Sequence, residues 1–366
     1  MHIRFQREEL IKPLGFVAGV VERRQTLPIL SYLLFKAQGG SVLMTGTDLE
    51  VEVTVSVDAK IESGGEIMLP ARKLLDICRA LPVDATLDLR AEGNKVQIRA
   101  GRSRFSLMTM PVADFPAIQT AEWDVTLRLP QQDLKQLLQE THFCMAQQDV
   151  RYYLNGVLLE TSGKQLRAVA TDGHRMAVSE LSLENDLGQT RQVIVPRKGV
   201  HELIRMLEDN DQPVEAQVSN NHLRVRTPGL VFTSKLIDGR YPDYSKVMPG
   251  KQAIQLKMPR EGLRETLARV AILSNEKYRG VRLTLGEKLL RISTNNPEQE
   301  EAQEELAIDF TGNGFEVGFN VNYLIECLGS LRSDEVVLGL NDPNSSCLIQ
   351  TAGQPSPQYV VMPMRL

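Results

Sequence analysis

Three segments, spaced almost evenly along the chain, carry one helical pattern. PARKLLDICRAL at 70–81 aligns without a gap with PRKGVHELIRML at 196–207, an offset of 126. NVNYLIECLGSL at 320–331 follows at a further 124, keeping the apolar stripe Leu324, Leu328, Leu331 and the acid Glu326. A long fixed period is the mark of a repeated supersecondary unit, and 366 residues accommodate three units of about 122. Such a chain folds as three similar bodies, expected at 1–124, 125–249 and 250–366.

The flanking blocks repeat as well. Upstream of each helix lies an alternating segment ending in Thr with Asp or Asn: LMTGTDLE (43–50), LRAVATDGH (166–174) and LRISTNNPE (290–298). Downstream lie RFSLMTMP (104–111), VFTSKLID (231–238) and QYVVMPMR (358–365), strand-like by alternation and β-branched content. Each unit also opens with a strand and a helix, as in IRFQREELIKPLGFVAGVV. The fold class is therefore α+β: three similar domains, each made of two strand–helix–strands halves with antiparallel hairpins.

Within the repeated helix, Leu74, Ile77, Cys78 and Leu81 form an i, i+3, i+4, i+7 stripe, matched by Val200, Leu203, Ile204 and Leu207. Arg72, Lys73 and Arg79 lie off the first stripe, and Arg197, Lys198 and Arg205 off the second. One charged helix face is ordinary solvated surface. Recurrence at matching places points to a shared basic surface, weaker in the third repeat, which lacks those cations. The chain as a whole is acidic, with 42 Lys and Arg against 46 Asp and Glu and a net charge of −4. Binding of nucleic acid would thus require cations gathered on one surface.

No phosphate loop, dinucleotide fingerprint, nucleophile elbow or zinc-protease helix occurs. Asp172 and His174 could serve an enzyme as a general-base pair. The same residues read as a hairpin turn, because Asp-Gly sits between two strands, and the other repeats carry Asp48 and Asn295 without a histidine. His2, His142, His201 and His222 are scattered. The acidic run 297–305 lacks the glycine punctuation of a calcium loop. No metal, cofactor or catalytic residue is expected. Cys78, Cys144, Cys327 and Cys347 have neither paired nor zinc-like spacing, which fits a reducing cytoplasm. The charged start MHIRFQREELIKP, and the lack of eighteen consecutive apolar residues, predict neither a signal peptide nor a membrane span.

Longer motifs add a resemblance. TLPIL (26–30), LMTGTDLE, GRSRFSL (101–107), QQDVRYYLNG (147–156), ATDGHR (170–175), VPRKG (195–199), DGRYPDY (238–244), AILSNEKYRGVRL (271–283), NNPEQEEAQEE and YVVMPMRL follow one another from end to end. In this order the sequence closely resembles the bacterial DNA polymerase III β subunits, the sliding clamps. The resemblance implies a head-to-tail homodimer, a closed six-domain ring around duplex DNA that confers processivity without catalysing a reaction. An acidic body with cations confined to inner helices suits a ring that holds DNA without reading bases.

The resemblance also implies site residues. DNA would meet Arg24, Gln148, Tyr152 and Tyr153 near the rim, and Lys73, Arg197, Lys198 and Arg205 in the hole. Ring closure joins unlike ends: Lys73, Arg102, Arg104, Phe105 and Leu107 on one, Ile272, Leu273, Glu298, Glu300, Glu301 and Glu304 on the other. A pocket between the second and third domains would take short, partly apolar partner motifs. Its residues would be Leu154, Thr171, Gly173, His174, Arg175 and Met176, then Pro242, Lys246 and Val247. Asn320, Tyr323, Val360, Met362, Pro363, Met364 and Arg365 would complete it. Met176 stands where the family usually has Leu and Lys246 where it has Arg, which bears on motif preference; the flexible thioethers suit several partners. Expected partners are duplex DNA, a second copy, the polymerase III catalytic subunit, an ATP-driven clamp loader, and other polymerases and repair proteins. The alternatives are an enzyme using Asp172 and His174, and a multi-partner scaffold that does not encircle DNA.

Overall fold

The computed structural model describes residues 1–21, 27–116, 118, 122–188 and 190–365. Among them are six α-helices: α1 (Arg7–Val20), α2 (Ala71–Ala80), α3 (Gln131–Gln139), α4 (Arg197–Met206), α5 (Arg260–Val270) and α6 (Val321–Ser330). Helices α2, α4 and α6 are the threefold repeated pattern, and α1, α3 and α5 are the helices that open each unit. The expected stripe shifts slightly. Leu74, Leu75 and Cys78 are buried in α2 while Ile77 is only half-buried, and in α4 Met206 is buried while Ile204 is half-buried. A helix on a sheet buries a wider face than the narrow a/d-type stripe, so neighbouring positions enter the core.

Every strand pairing is antiparallel. The described strands make four sheets. The first runs Lys60–Ser63, His2–Gln6, Thr86–Glu92, Lys95–Ala100, Ser103–Met108. The second runs Val125–Pro130, Pro213–Val218, His222–Thr227, Leu230–Lys235, Val51–Asp58, Ser41–Thr47, Tyr32–Gln38, Gly65–Pro70. The third runs Arg191–Pro196, Gly156–Ser162, Gln165–Thr171, Arg175–Ser182, Gln358–Val361, Cys347–Thr351, Glu335–Leu340, Ile254–Pro259. The fourth runs Glu301–Ala307, Leu289–Asn295, Gly280–Gly286, Glu316–Asn320. Alternation places one strand face in the core; Val51, Val53, Val55 and Val57 are buried and the residues between them are not.

The two larger sheets cross the sequence repeat. Leu230–Lys235 of the second repeat pairs with Val51–Asp58 of the first, Phe232 opposite Val53. Gln358–Val361 of the third repeat pairs with Arg175–Ser182 of the second, Tyr359 opposite Ala177. Each repeat is thus halved, and neighbouring halves fuse by hydrogen bonding. The compact units follow the fused sheets: Met1–Gln132 with Lys198–Leu236, and Asp133–Arg197 with Ile237–Leu366. One member of each kind of joining strand is left over. Ser103–Met108 is the first-repeat equivalent of Leu230–Lys235 and Gln358–Val361, and Glu301–Ala307 is the third-repeat equivalent of Val51–Asp58 and Arg175–Ser182. Both lie at sheet edges.

In the first unit α1 packs on α2 and against the strands Ser41–Thr47 and Val51–Asp58. In the second α5 packs on α6 and against Leu289–Asn295 and Glu301–Ala307. Phe5, Phe35, Phe232, Phe319 and Tyr359 are among the largest fully buried side chains. All four cysteines are buried and free. No helix among the described residues is long and apolar enough to cross a membrane.

Candidate functional site

The Thr-Asp motif is a turn device used twice. Thr47 Oγ1 donates to the Val51 carbonyl at 2.9 Å, and Asp48 Oδ1 accepts from the amides of Glu50 and Val51. Thr171 Oγ1 likewise donates to the Arg175 carbonyl at 2.6 Å, and Asp172 Oδ1 accepts from the amides of His174 and Arg175. Short side chains that accept neighbouring amides stabilise such turns. Gly173 takes φ +89°, and a Cβ there would come within 3.0 Å of the Arg151 guanidinium. Asp172 is occupied by two turn amides and by Arg175 Nε at 3.2 Å, so its carboxylate is spent on the hairpin.

Beside this turn a cleft of about 210 Å³ opens in the second unit. It brings together Leu154, Thr171, Gly173, Arg175, Met176, Pro242, Val247, Val360 and Met362 from the sequence-predicted set. The floor is a buried apolar cluster that includes Leu154, Leu158, Met176, Val178, Tyr241 and Val360. Met362 and Val247 leave about 40% of their surface exposed at the mouth. An open apolar trough ringed by polar groups is the usual form of a peptide or small-ligand site.

Arg151, Asp243 and Tyr244 also line the cleft and were missed from the sequence. Their motifs, QQDVRYYLNG and DGRYPDY, contain the expected residues Leu154 and Pro242, and that neighbourhood was the available signal. Arg151 donates twice to Asp149, at 3.0 and 2.8 Å, and once to the Asp172 carbonyl at 3.2 Å. Hydrogen bonds from Arg151 bring the Asp149 carboxyl down to about 2. Tyr244 donates to Glu160 Oε1 at 2.8 Å and accepts from Arg167 Nη1 at 2.8 Å. Arg167 also grips Glu180 Oε2 through two nitrogens, at 3.1 and 2.8 Å. Burial above all raises the Tyr244 pKa, so the phenol stays protonated and able to donate.

Other expected residues stand around the cleft without lining it. Tyr323 lies with its ring 4.4 Å from the Arg175 guanidinium, which also binds Glu326 and the Phe143 carbonyl. Asn320 caps α6 by accepting the Asn322 amide. His174 contributes its carbonyl, which accepts the Met362 amide at 2.9 Å. Lys246 is exposed and pairs with Asp243 at 3.3 Å. Met364 and Arg365 line a separate pocket, and Pro363 lines neither pocket.

The expected DNA residues divide in two. Gln148 and Tyr152 are exposed, Tyr152 by 57%, with the Tyr153 ring 5.8 Å from it in an edge contact. Lys73 is exposed on α2. Arg24 lies outside the described residues. The α4 cations have structural partners: Arg197 Nη1 donates to the Met145 carbonyl, and Lys198 binds Asp48 and the Val20 carbonyl. Arg205 donates to the carbonyls of Gly15 and Phe16 and pairs with Glu202. Arg72, aligned with Lys198, donates to the Val21 carbonyl. Cations from α2 and α4 thus donate to carbonyls in the last turns of α1, among them the Val20 and Val21 carbonyls that the helix leaves orphaned, where the helix dipole favours positive charge.

The two leftover strand edges differ in chemistry. Ser103–Met108 carries Arg104, a half-buried Phe105 and buried Leu107, with Arg102 just before it. Glu301–Ala307 carries Glu301 and Glu304, with Glu298 and Glu300 exposed before it. Glu304 already pairs with Arg269 at 2.6 and 2.8 Å, which lowers its pKa. Near it Ile272 is 75% exposed and Leu273 half-buried.

Family models of the DNA polymerase III beta subunit match three stretches: the N-terminal domain at residues 1–119, the central domain at 128–243 and the C-terminal domain at 245–365. A beta sliding clamp of Pseudomonas putida is 51% identical over 368 residues, spanning the whole of both chains. That of Escherichia coli is 47% identical over 367 residues, again end to end. The crystal structure of a Pseudomonas aeruginosa sliding clamp bound to griselimycin matches with a TM-score of 0.97 at 50% identity, covering all of both chains. A Caulobacter crescentus DNA polymerase sliding clamp matches over both full lengths at 36% identity with a TM-score of 0.93. The chain belongs to the DNA polymerase III beta subunits, the family of the beta sliding clamps.

Proposed function

We propose that two copies of this chain join head to tail into a ring that encircles duplex DNA and tethers the replicative polymerase, with no catalysis of its own. The carrying observation is the pair of leftover strand edges. Two of the three joins that the repeat calls for are made within one chain, between Leu230–Lys235 and Val51–Asp58 and between Gln358–Val361 and Arg175–Ser182. The third, between Ser103–Met108 and Glu301–Ala307, has both partners at sheet edges. Exposed edges invite strand addition. Arg102 and Arg104 on one edge complement Glu298, Glu300, Glu301 and Glu304 on the other, and half-buried Phe105, backed by buried Leu107, offers apolar surface to Ile272 and Leu273. Completing the join twice closes a dimer by a heterologous contact.

The domains are then 1–124, 125–249 and 250–366, with the repeated helices facing the DNA and the sheets outside. Lys73, Arg197, Lys198 and Arg205 contribute positive potential to the hole, Gln148, Tyr152 and Tyr153 meet DNA at its rim, and Arg24 belongs to the same set. Retention comes from topology, so weak sequence-independent phosphate attraction suffices. The cleft at Met176, Pro242, Val360 and Met362 takes short, partly apolar motifs of the polymerase catalytic subunit, the clamp loader, other polymerases and repair proteins. Asn320, Tyr323, Pro363, Met364 and Arg365 extend it, and Lys246 and His174 border it. The setting is the cytoplasm.

Primer extension on a singly primed circular template tests this reading. With polymerase III core and an ATP-driven loader, adding the chain should convert short products into products of thousands of nucleotides. Unchanged product length would reject it.

A further inference from the structure

A second pocket, of about 700 Å³, lies in the same unit on the face of the sheet that ends in Glu301–Ala307. Arg282, Ser293 and Gln303 stand in register across three adjacent strands and form its base. Tyr278, 56% exposed, forms one wall, and Met364 and Arg365 form another. Among the described residues Arg282 makes a single, long ion pair, 3.8 Å to Glu316. The pocket holds two guanidiniums, Arg282 and Arg365, against one carboxylate, Glu301.

The C-terminal tail links this pocket to the first cleft. Its Met362 lines the cleft and is anchored by donating to the His174 carbonyl. Two residues on, Met364 lines the second pocket and donates to the Gly318 carbonyl at 2.8 Å. Extended chain advances about 3.3 Å per residue, so Met362 and Met364 lie about 7 Å apart along the tail. A peptide seated in the cleft and running beside the tail reaches the second pocket within a few residues.

We propose that this pocket is a subsite for a carboxylate side chain on the flank of the partner motif, held by Arg282 and Arg365. The assignment rests on the peptide-binding reading of the first cleft. The apolar cleft recognises the motif, and the second pocket, rich in amide, hydroxyl and guanidinium donors, selects among flanks. Arginine forks pair bidentately with carboxylates, a strong and directional contact.

Fluorescence anisotropy on the full chain tests it, using a fluorescein-labelled motif peptide from the polymerase catalytic subunit. The peptide is compared with versions that carry three glutamates or three glutamines beyond either end. At one end the glutamate version should bind at least about five-fold tighter than the glutamine version, the scale of one charge-assisted hydrogen bond. Arg282→Gln should erase that gain and keep the affinity of the unextended motif. Equal binding of both extensions at both ends, or a gain that survives Arg282→Gln, overturns the subsite alone. No binding of the unextended motif to the unmodified chain overturns the cleft reading and the subsite with it.

Discussion

Arg167 Nη1 donates to the Tyr244 hydroxyl at 2.8 Å, and that hydroxyl donates in turn to Glu160 Oε1 at the same distance. The pair ties a wall of the peptide cleft to the sheet behind it. Tyr244→Phe removes both hydrogen bonds of the hydroxyl and should lower stability by about 1–2 kcal/mol. Arg167→Ala removes the ion-pair partner of Glu160, which keeps its hydrogen bonds from Tyr244 and Gln192, and of Glu180; their side chains are 11% and 29% exposed. It should cost about 2–4 kcal/mol, less than the loss of a fully buried partner because Arg167 is itself 25% exposed. Urea midpoints check both, and an unchanged midpoint for Arg167→Ala would refute the tie.

The cations of the repeated helices should separate into two classes. Arg205→Ala removes a side-chain donor from the Gly15 and Phe16 carbonyls, which also accept within α1, and should destabilise the first unit by about 1 kcal/mol. Lys73→Ala should leave stability unchanged and reduce the salt dependence of DNA binding by about one phosphate contact. Thermal melts combined with a salt titration of DNA binding distinguish them. Equal loss of stability in both variants would contradict the division.

Ile272 is 75% exposed, and in the proposed ring a second copy would cover it. Replacing Ile272 and Leu273 together by Ala should give monomers, since such truncations remove about 2–5 kcal/mol each at well-packed sites. Sedimentation velocity reads the result directly, and an intact dimer would refute the assigned interface.

His222 gives the first unit a pH signature. Burial, then Lys235 and Arg224, lower its pKa from the ordinary value of 6.5. The unfolded chain therefore takes up this proton at a higher pH than the folded chain. The associated stability is fully present above about pH 6.5 and is lost as pH falls below it. The melting temperature should decline from pH 7 to 5.5, and His222→Gln should flatten that decline. An identical slope in the variant would remove His222 as the cause.

The repeat, the helices and the Thr-Asp turns were legible because each is local: a period, a stripe, or a short side chain beside its own amides. The exchange of half-sheets was not, since Leu230–Lys235 looks the same in sequence whether it pairs inside its own repeat or with Val51–Asp58. The cleft became legible only through family resemblance, because its residues are spread from Leu154 to Met362. The tie among Glu160, Arg167, Glu180 and Tyr244 stayed hidden. Charged residues alternating along strands read as a solvated face, and only the fold shows that Tyr244 closes over them.

The central claim is topological, and retention on DNA tests it most directly. The chain is loaded onto a nicked circular duplex with an ATP-driven loader and passed through a large-pore column before and after a single restriction cut. The ring account predicts that the protein elutes with the circle and is lost within minutes of linearisation. Equal retention on circular and linear DNA would contradict it.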